Sequence, residues 1–249
     1  MAVRRLHATD LEKAARFSVI GMYLADSGTS FVQHVAILRD DAELRYAMQG
    51  VRVCHMGPPL VAGAQSAGVA QPEECTCAAH LIGDVELDAE EIEGVKTWLV
   101  EVDKEIRPTN KLRQYIVDPP MKWVEAENKT RLYRRFSCAG FVLECYRSVD
   151  IDLIRVADAE RLPEVDLETV ARAYGDSVRR ETLRSRLGIP GDGPWRIVLA
   201  GYIMHALNRT DHLIRQIPHV PSSIGERDFY APIRSAAAAR TASPVPHNP

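Results

Sequence analysis

The stretch Arg135-Phe136-Ser137-Cys138-Ala139-Gly140-Phe141-Val142-Leu143-Glu144-Cys145-Tyr146 decides how the rest of the chain is read. Two small residues follow Cys138, and Phe141, Val142, Cys145 and Tyr146 then recur at helical spacing. The pattern predicts a buried helix with Cys138 at its N-terminal mouth. A thiol in that first turn meets unpaired backbone N–H groups and the positive end of the helix dipole, and both favour the nucleophilic thiolate. Cys138 is therefore a candidate nucleophile. A buried cysteine acting as a small hydrophobe is the competing reading.

Outside this stretch the composition is that of an ordinary globular chain. The 249 residues are 46% hydrophobic and 26% charged, within the range of a single domain or one domain with a helical appendage. A net charge of -3 gives no electrostatic case for nucleic acid or an anionic membrane as the main partner. No apolar run approaches the ~20 residues of a spanning helix. The N-terminus does not read as a secretion signal, because Arg4 and Arg5 lead into a charged stretch without an apolar h-region. The five cysteines are an odd number, which argues against a disulfide framework and for reduced thiols in a cytoplasmic protein.

Local patterns set the expected elements. Thr9 with Glu12 forms a capping box, predicting a helix over 10–24 that ends at Asp26-Ser27-Gly28. Phe31 to Leu38 reads as a strand, Glu43 to Gln49 as a second and Val51 to Met56 as a third. The segment 57–71 is rich in Gly, Ala and Pro and reads as a long loop. Asp88 to Glu93 favours helix, 95–102 is ambiguous, and Ile151 to Val156 reads as a further strand. The C-terminal third is helical in character. Asp166 to Leu187 is stopped by Gly188, and Pro194 to Leu207 opens on a proline in the first turn. The final stretch, 234–249, is rich in Ala, Ser and Pro and is expected to be disordered.

His34 lies mid-strand in Phe31-Val32-Gln33-His34-Val35-Ala36-Ile37-Leu38. The order "His-Val-Ala-Ile-Leu, turn, strand" followed by "Ser-Cys-Ala-Gly-Phe-Val" opening a helix resembles the circularly permuted papain-like cysteine hydrolases. These include relatives of the cell-wall amidases and the lecithin–retinol acyltransferase-like enzymes. The resemblance covers residues 30–56 and 133–148 and leaves the C-terminal helices unexplained. It implies an α+β fold, with a papain-like core in which a small antiparallel sheet packs on the catalytic-cysteine helix. That core with its N-terminal helix would span 1–156. A helical region over 157–233 would pack on it, followed by the tail.

The same resemblance implies a cysteine-dependent hydrolase or acyltransferase acting on an amide or ester through a thioester. Cys138 would be the nucleophile and His34 the base. Where such enzymes carry a polar orienting residue on the next strand, this chain has Tyr46. Matching apolar phases on the two strands predict that Tyr46 shares a sheet face with His34, and His55 is the substitute. A half-buried core aromatic is the other reading of Tyr46. The alternative function is a non-catalytic binding module on the same fold with a degenerate triad. The expected partner is a small-molecule, peptide or lipid-like substrate.

Other clusters point elsewhere. Cys54-His55 and Cys75-Thr76-Cys77, with His80, offer sulfur and nitrogen ligands. Their spacing does not match paired zinc knuckles, so no metal or cofactor is expected. His205 and His212 are seven apart on a predicted helix and are second-rank bases for Cys138. Lys129, Arg131, Arg134 and Arg135 either attract an anionic substrate or form a solvated charged face.

Overall fold

A computed structural model describes residues 3–5, 14–23, 32–38, 46–47, 50–54, 73–75, 79–106, 115–126, 129, 131–156 and 161–223. Within them the chain is α+β, with small antiparallel sheets and helices packed against one another. The first sheet contains β1 (Arg4–Arg5), β2 (Val19–Tyr23), β3 (His34–Leu38), β4 (Tyr46–Ala47), β5 (Gly50–Cys54), β6 (Glu73–Cys75) and β7 (Ala79–Gly83). Its order is β1-β7-β2-β3-β5-β4, with β6 also pairing β5, and every pairing is antiparallel. A hairpin of β8 (Met121–Glu125) and β9 (Leu132–Phe136) forms a second sheet.

The helix expected over 10–24 is replaced in its second half by strand β2. Val19 to Tyr23 is held between two neighbours, with Ile20 opposite Ala36 on β3 and Ile82 on β7. Pairing on both edges outweighs the local helical signal. Thr9 and Glu12 lie outside the described residues, as do the 57–71 loop and the 234–249 tail.

The helices are α1 (Ala89–Ile106), α2 (Cys138–Arg147), α3 (Leu167–Tyr174), α4 (Glu181–Arg186), α5 (Ala200–Leu207) and α6 (Asp211–Gln216), with a 3-10 turn over Asp176–Arg179. Asp88 caps α1 by accepting from the N–H groups of Glu90 and Glu91, while Glu91 returns the bond to the Asp88 N–H at 2.8 Å. The ambiguous 95–102 segment is the middle of this helix, and it buries Val95, Trp98, Leu99 and Val102.

The expected 166–187 helix is broken at Gly175, whose φ of +86° suits glycine. The 194–207 helix begins only at Ala200, because Trp195 pairs as an isolated bridge with Val165. Ile151 to Val156 contributes one bridge, from Ile154 to His219, rather than a strand.

Strand alternation divides the first sheet into two faces. Val19, Val35, Ile37 and Leu81 share one apolar cluster with Cys138, Phe141 and Val142 of α2 and with Tyr202 and Met204 of α5. Gly21 lies on that face, where a Cβ would stand 3.0 Å from the Met204 side chain, so the missing side chain lets α5 approach the sheet. Ile20, Ala36, Leu38 and Ile82 are fully buried on the other face. The cluster reaches from Val3 to Ile214, so the C-terminal helices and the sheet share one core.

Candidate functional site

Cys138 is the first residue of α2, as its sequence neighbourhood predicts. Ser137 caps the helix in an extended conformation, its hydroxyl accepting from the Gly140 N–H at 2.8 Å. The Ser137 N–H donates to the Pro120 carbonyl at 2.9 Å, which ties the helix mouth to the 115–120 segment. Gly140 makes this contact possible, since a Cβ there would stand 1.8 Å from the Pro120 oxygen. The two small residues after Cys138 thus have a packing reason as well as a helical one.

The sulfur is sealed, with Cys138 only 1% exposed. Burial pushes its thiol above the ordinary value, against lowering by the Val35 backbone amide, the Tyr115 hydroxyl and the amides of the helix start. The helix terminus acts in the direction expected from sequence, and desolvation outweighs it. Tyr115 donates toward the sulfur across 4.0 Å. Its own hydroxyl is held well above the usual phenol range, by burial first and then by the charge that Cys138 would carry. No sequence pattern singled out Tyr115. Its only local signal is an apolar neighbourhood, Tyr115-Ile116-Val117, before a proline pair.

His34 is the first residue of β3 and is half-buried. The amide facing the Cys138 sulfur is that of Val35, which is the peptide link leaving His34. The structure therefore brings the strand carrying His34 against the helix start carrying Cys138. Alternation separates the two side chains: Val35 and Ile37 face the cluster containing the sulfur, and His34 falls on the side of Ala36 and Leu38. Among the described residues, β5 pairs with Ile37 and Leu38 of β3.

Tyr46 is not on the neighbouring strand. β4 pairs with β5, Tyr46 opposite Val51, in line with β3 on the same edge of β5, since β6 takes the other edge over Val51 to Val53. Roughly six register steps along that edge put its backbone on the order of 20 Å from that of His34. The expected β3–β4 hairpin is absent, and both strands pair with β5 instead of with each other. His55 and Cys77 lie outside the described residues. Cys54 ends β5, Cys75 ends β6 and His80 lies on β7. Among the described residues no group of three His, Cys, Asp or Glu side chains is arranged to hold a metal.

The remaining candidates have structural partners. His205 on α5 stacks on His219, with ring centroids 5.4 Å apart, whereas His212 is exposed on α6. Arg134 makes two bonds to Glu105, at 2.8 and 2.6 Å, and lies over the rings of Trp98 and Trp123. Arg135 donates to the carbonyls of Tyr115 and Arg186. Half of the basic run is thus part of the framework rather than a free charged face. No helix among the described residues is long and apolar enough to cross a membrane.

No protein-family model, curated protein or solved structure matches the chain.

Proposed function

We propose that this chain is a cysteine-dependent hydrolase or acyltransferase acting on an amide or ester, built on a papain-like core. One observation carries the reading: the peptide bond leaving His34 lies at the sulfur of a cysteine that opens a buried, capped helix. In this mechanism the Cys138 thiol proton passes to the His34 imidazole as sulfur bonds to the carbonyl carbon. The carbonyl electron pair moves onto oxygen, held in part by the Cys138 N–H at the helix start. Collapse of that intermediate expels the amine or alcohol, which takes the proton from the imidazolium. Water or a second acceptor then attacks the thioester and frees the thiol. His34 lies on the other face of β3 from the sulfur, so in this scheme the start of that strand turns over when substrate binds and brings the imidazole to Cys138. Tyr46, on the order of 20 Å along the sheet from His34, has no part in this scheme. The substrate class is a peptide, modified protein or lipid-like amide, met in the cytoplasm.

A second reading, a binding module with a silent cysteine, is favoured by the sealed sulfur and its raised thiol pKa. Hydrolysis of an activated ester and alkylation of Cys138, measured in the same preparations, separate the two. The enzyme reading expects ester turnover that is lost in Cys138→Ala and falls at least about a hundredfold in His34→Ala. No turnover above background, with Cys138 no more reactive than in the unfolded chain, establishes the binding module, and turnover untouched by both substitutions overturns the roles of Cys138 and His34.

A further inference from the structure

Three buried side chains from three parts of the chain meet at the candidate site. Tyr115 comes from the 115–120 segment, Cys138 from the start of α2 and Tyr174 from the last turn of α3. They are 1%, 1% and 6% exposed. The Tyr115 hydroxyl reaches the sulfur at 4.0 Å, and its ring meets that of Tyr174 edge-on with centroids 6.4 Å apart.

A phenol carries one hydrogen and can also accept. Tyr115 stands between the sulfur and Tyr174, so its single hydrogen serves one neighbour at a time. With the Tyr174 hydroxyl aimed at the Tyr115 oxygen, the Tyr115 hydrogen is left for the sulfur, and the chain of dipoles favours thiolate. In the reverse arrangement Tyr115 donates to Tyr174 and the sulfur loses its donor. Hydrogen bonds arranged in such a chain polarise one another.

Building on the reading of Cys138 as nucleophile, we infer that Tyr174 is a positioning residue that governs the ionisation of Cys138 through Tyr115. The inference gives helix α3, which lies outside the family resemblance, a part in the chemistry. Other ionisable groups border the trio. Asp118 lies on the Tyr115 segment, half-buried, with its carboxyl pushed up by desolvation. Burial first, and then the charges that Cys138 and Asp118 would carry, oppose ionisation of Tyr174, so its phenol proton stays in place. His34 sits beside the Val35 amide on β3, and Cys145 lies two turns further along α2.

The test is the rate of Cys138 modification by iodoacetamide across pH, in the full chain. In each background the variant Cys138→Ser is subtracted. A depressed thiolate fraction lowers the rate at fixed pH by about tenfold per unit of thiol pKa. Tyr115→Phe is expected to slow modification by about tenfold and Tyr174→Phe by about threefold. The double variant should match Tyr115→Phe alone. Fluorotyrosine at position 174, a stronger donor of nearly equal volume, should speed modification only while Tyr115 is present.

A Tyr174 effect that adds in full to that of Tyr115 would mean simple packing and overturn the inference, as would no Tyr174 effect at all. Where burial excludes the reagent from every variant, the S–H infrared band of Cys138 carries the same test. The band must shift on Tyr174→Phe and must not shift further in the Tyr115→Phe background. A coupled band with an unreactive thiol would count against the enzyme reading alone. A reactive thiol indifferent to Tyr174 would count against this inference alone.

Discussion

The Tyr115 hydroxyl donates toward the Cys138 sulfur across 4.0 Å inside the core, and each residue is only 1% exposed. Both groups pay for desolvation in the same direction, since burial raises the acid's ionisation threshold in each. Buried neutral acids make stability depend on pH. A group whose folded pKa exceeds its unfolded value contributes fully below the unfolded value and loses that contribution as pH rises through the folded one. The unfolded thiol titrates near 9.0 and the phenols near 10.0, and Tyr146 and Tyr174 are raised as well. Urea unfolding should therefore show stability falling steadily above about pH 9. Replacing Cys138 by Ser should remove the earliest part of that fall. A flat profile to pH 11 would contradict the burial of these groups.

Gly140→Ala tests the junction between α2 and the Pro120 carbonyl. The added Cβ would collide with a backbone oxygen, which cannot rotate away like a side-chain end. A loss on the order of 3 kcal/mol is expected in denaturant unfolding, from overpacking and the broken Ser137–Pro120 bond. The same change at an exposed helix position would stabilise slightly.

Ser137→Ala tests the cap itself. Removing the hydroxyl leaves the Gly140 N–H without its 2.8 Å acceptor in a fully buried position. The expected cost is about 1 to 2 kcal/mol, partly recovered by Ser137→Asp. Equal stability of the alanine and aspartate variants would show that the cap does not set this helix start.

Arg134→Lys should behave unlike a conservative change. The guanidinium is paired through two bonds with Glu105 and lies 5.1 Å from the centroid of Trp123. A lysine keeps the charge and loses the planar fork and the stacking. Loss of about 1 kcal/mol is expected, with altered fluorescence of Trp123, which is 50% exposed. A variant with unchanged stability and emission would place Arg134 on the solvated face that the charge run alone predicts.

Asp84→Ala probes the packing of β2 against β7. The Asp84 carboxylate accepts from the Ser18 hydroxyl at 2.6 Å and from the Ala15 N–H at 3.3 Å, in a buried setting. Truncation strands the Ala15 N–H, while the Ser18 hydroxyl keeps the Ala15 carbonyl at 2.6 Å, and should cost about 1 to 3 kcal/mol. Adding Ser18→Ala should cost less than the sum of the two single changes, because they remove one shared interaction.

Sequence alone determined what depends on neighbours a few residues away. The apolar spacing after Cys138 and the acidic opening at Asp88 each specify a helix through its own backbone bonds, and α2 and α1 begin where those signals stand. The run from His34 to Leu38 is likewise a strand, because its β-branched residues suit a pleated sheet. The mixture of helix and strand followed from these local patterns. The N-terminal helix and the hairpin between β3 and β4 did not survive, since pairing is settled by partners far along the chain. Val19 to Tyr23 became a strand because β3 and β7 flank it, and Tyr46 stands beyond the end of β3 because both strands pair with β5 rather than with each other.

The state of the candidate nucleophile was decided the same way. A cysteine at a helix mouth reads as activated from its own turn. Tyr115, Tyr174 and the core around Val35 close over it from elsewhere, and desolvation by those distant residues outweighs the local dipole. Secondary structure is a short-range balance, whereas strand order and burial sum contacts over the whole molecule, so only the tertiary structure could set them.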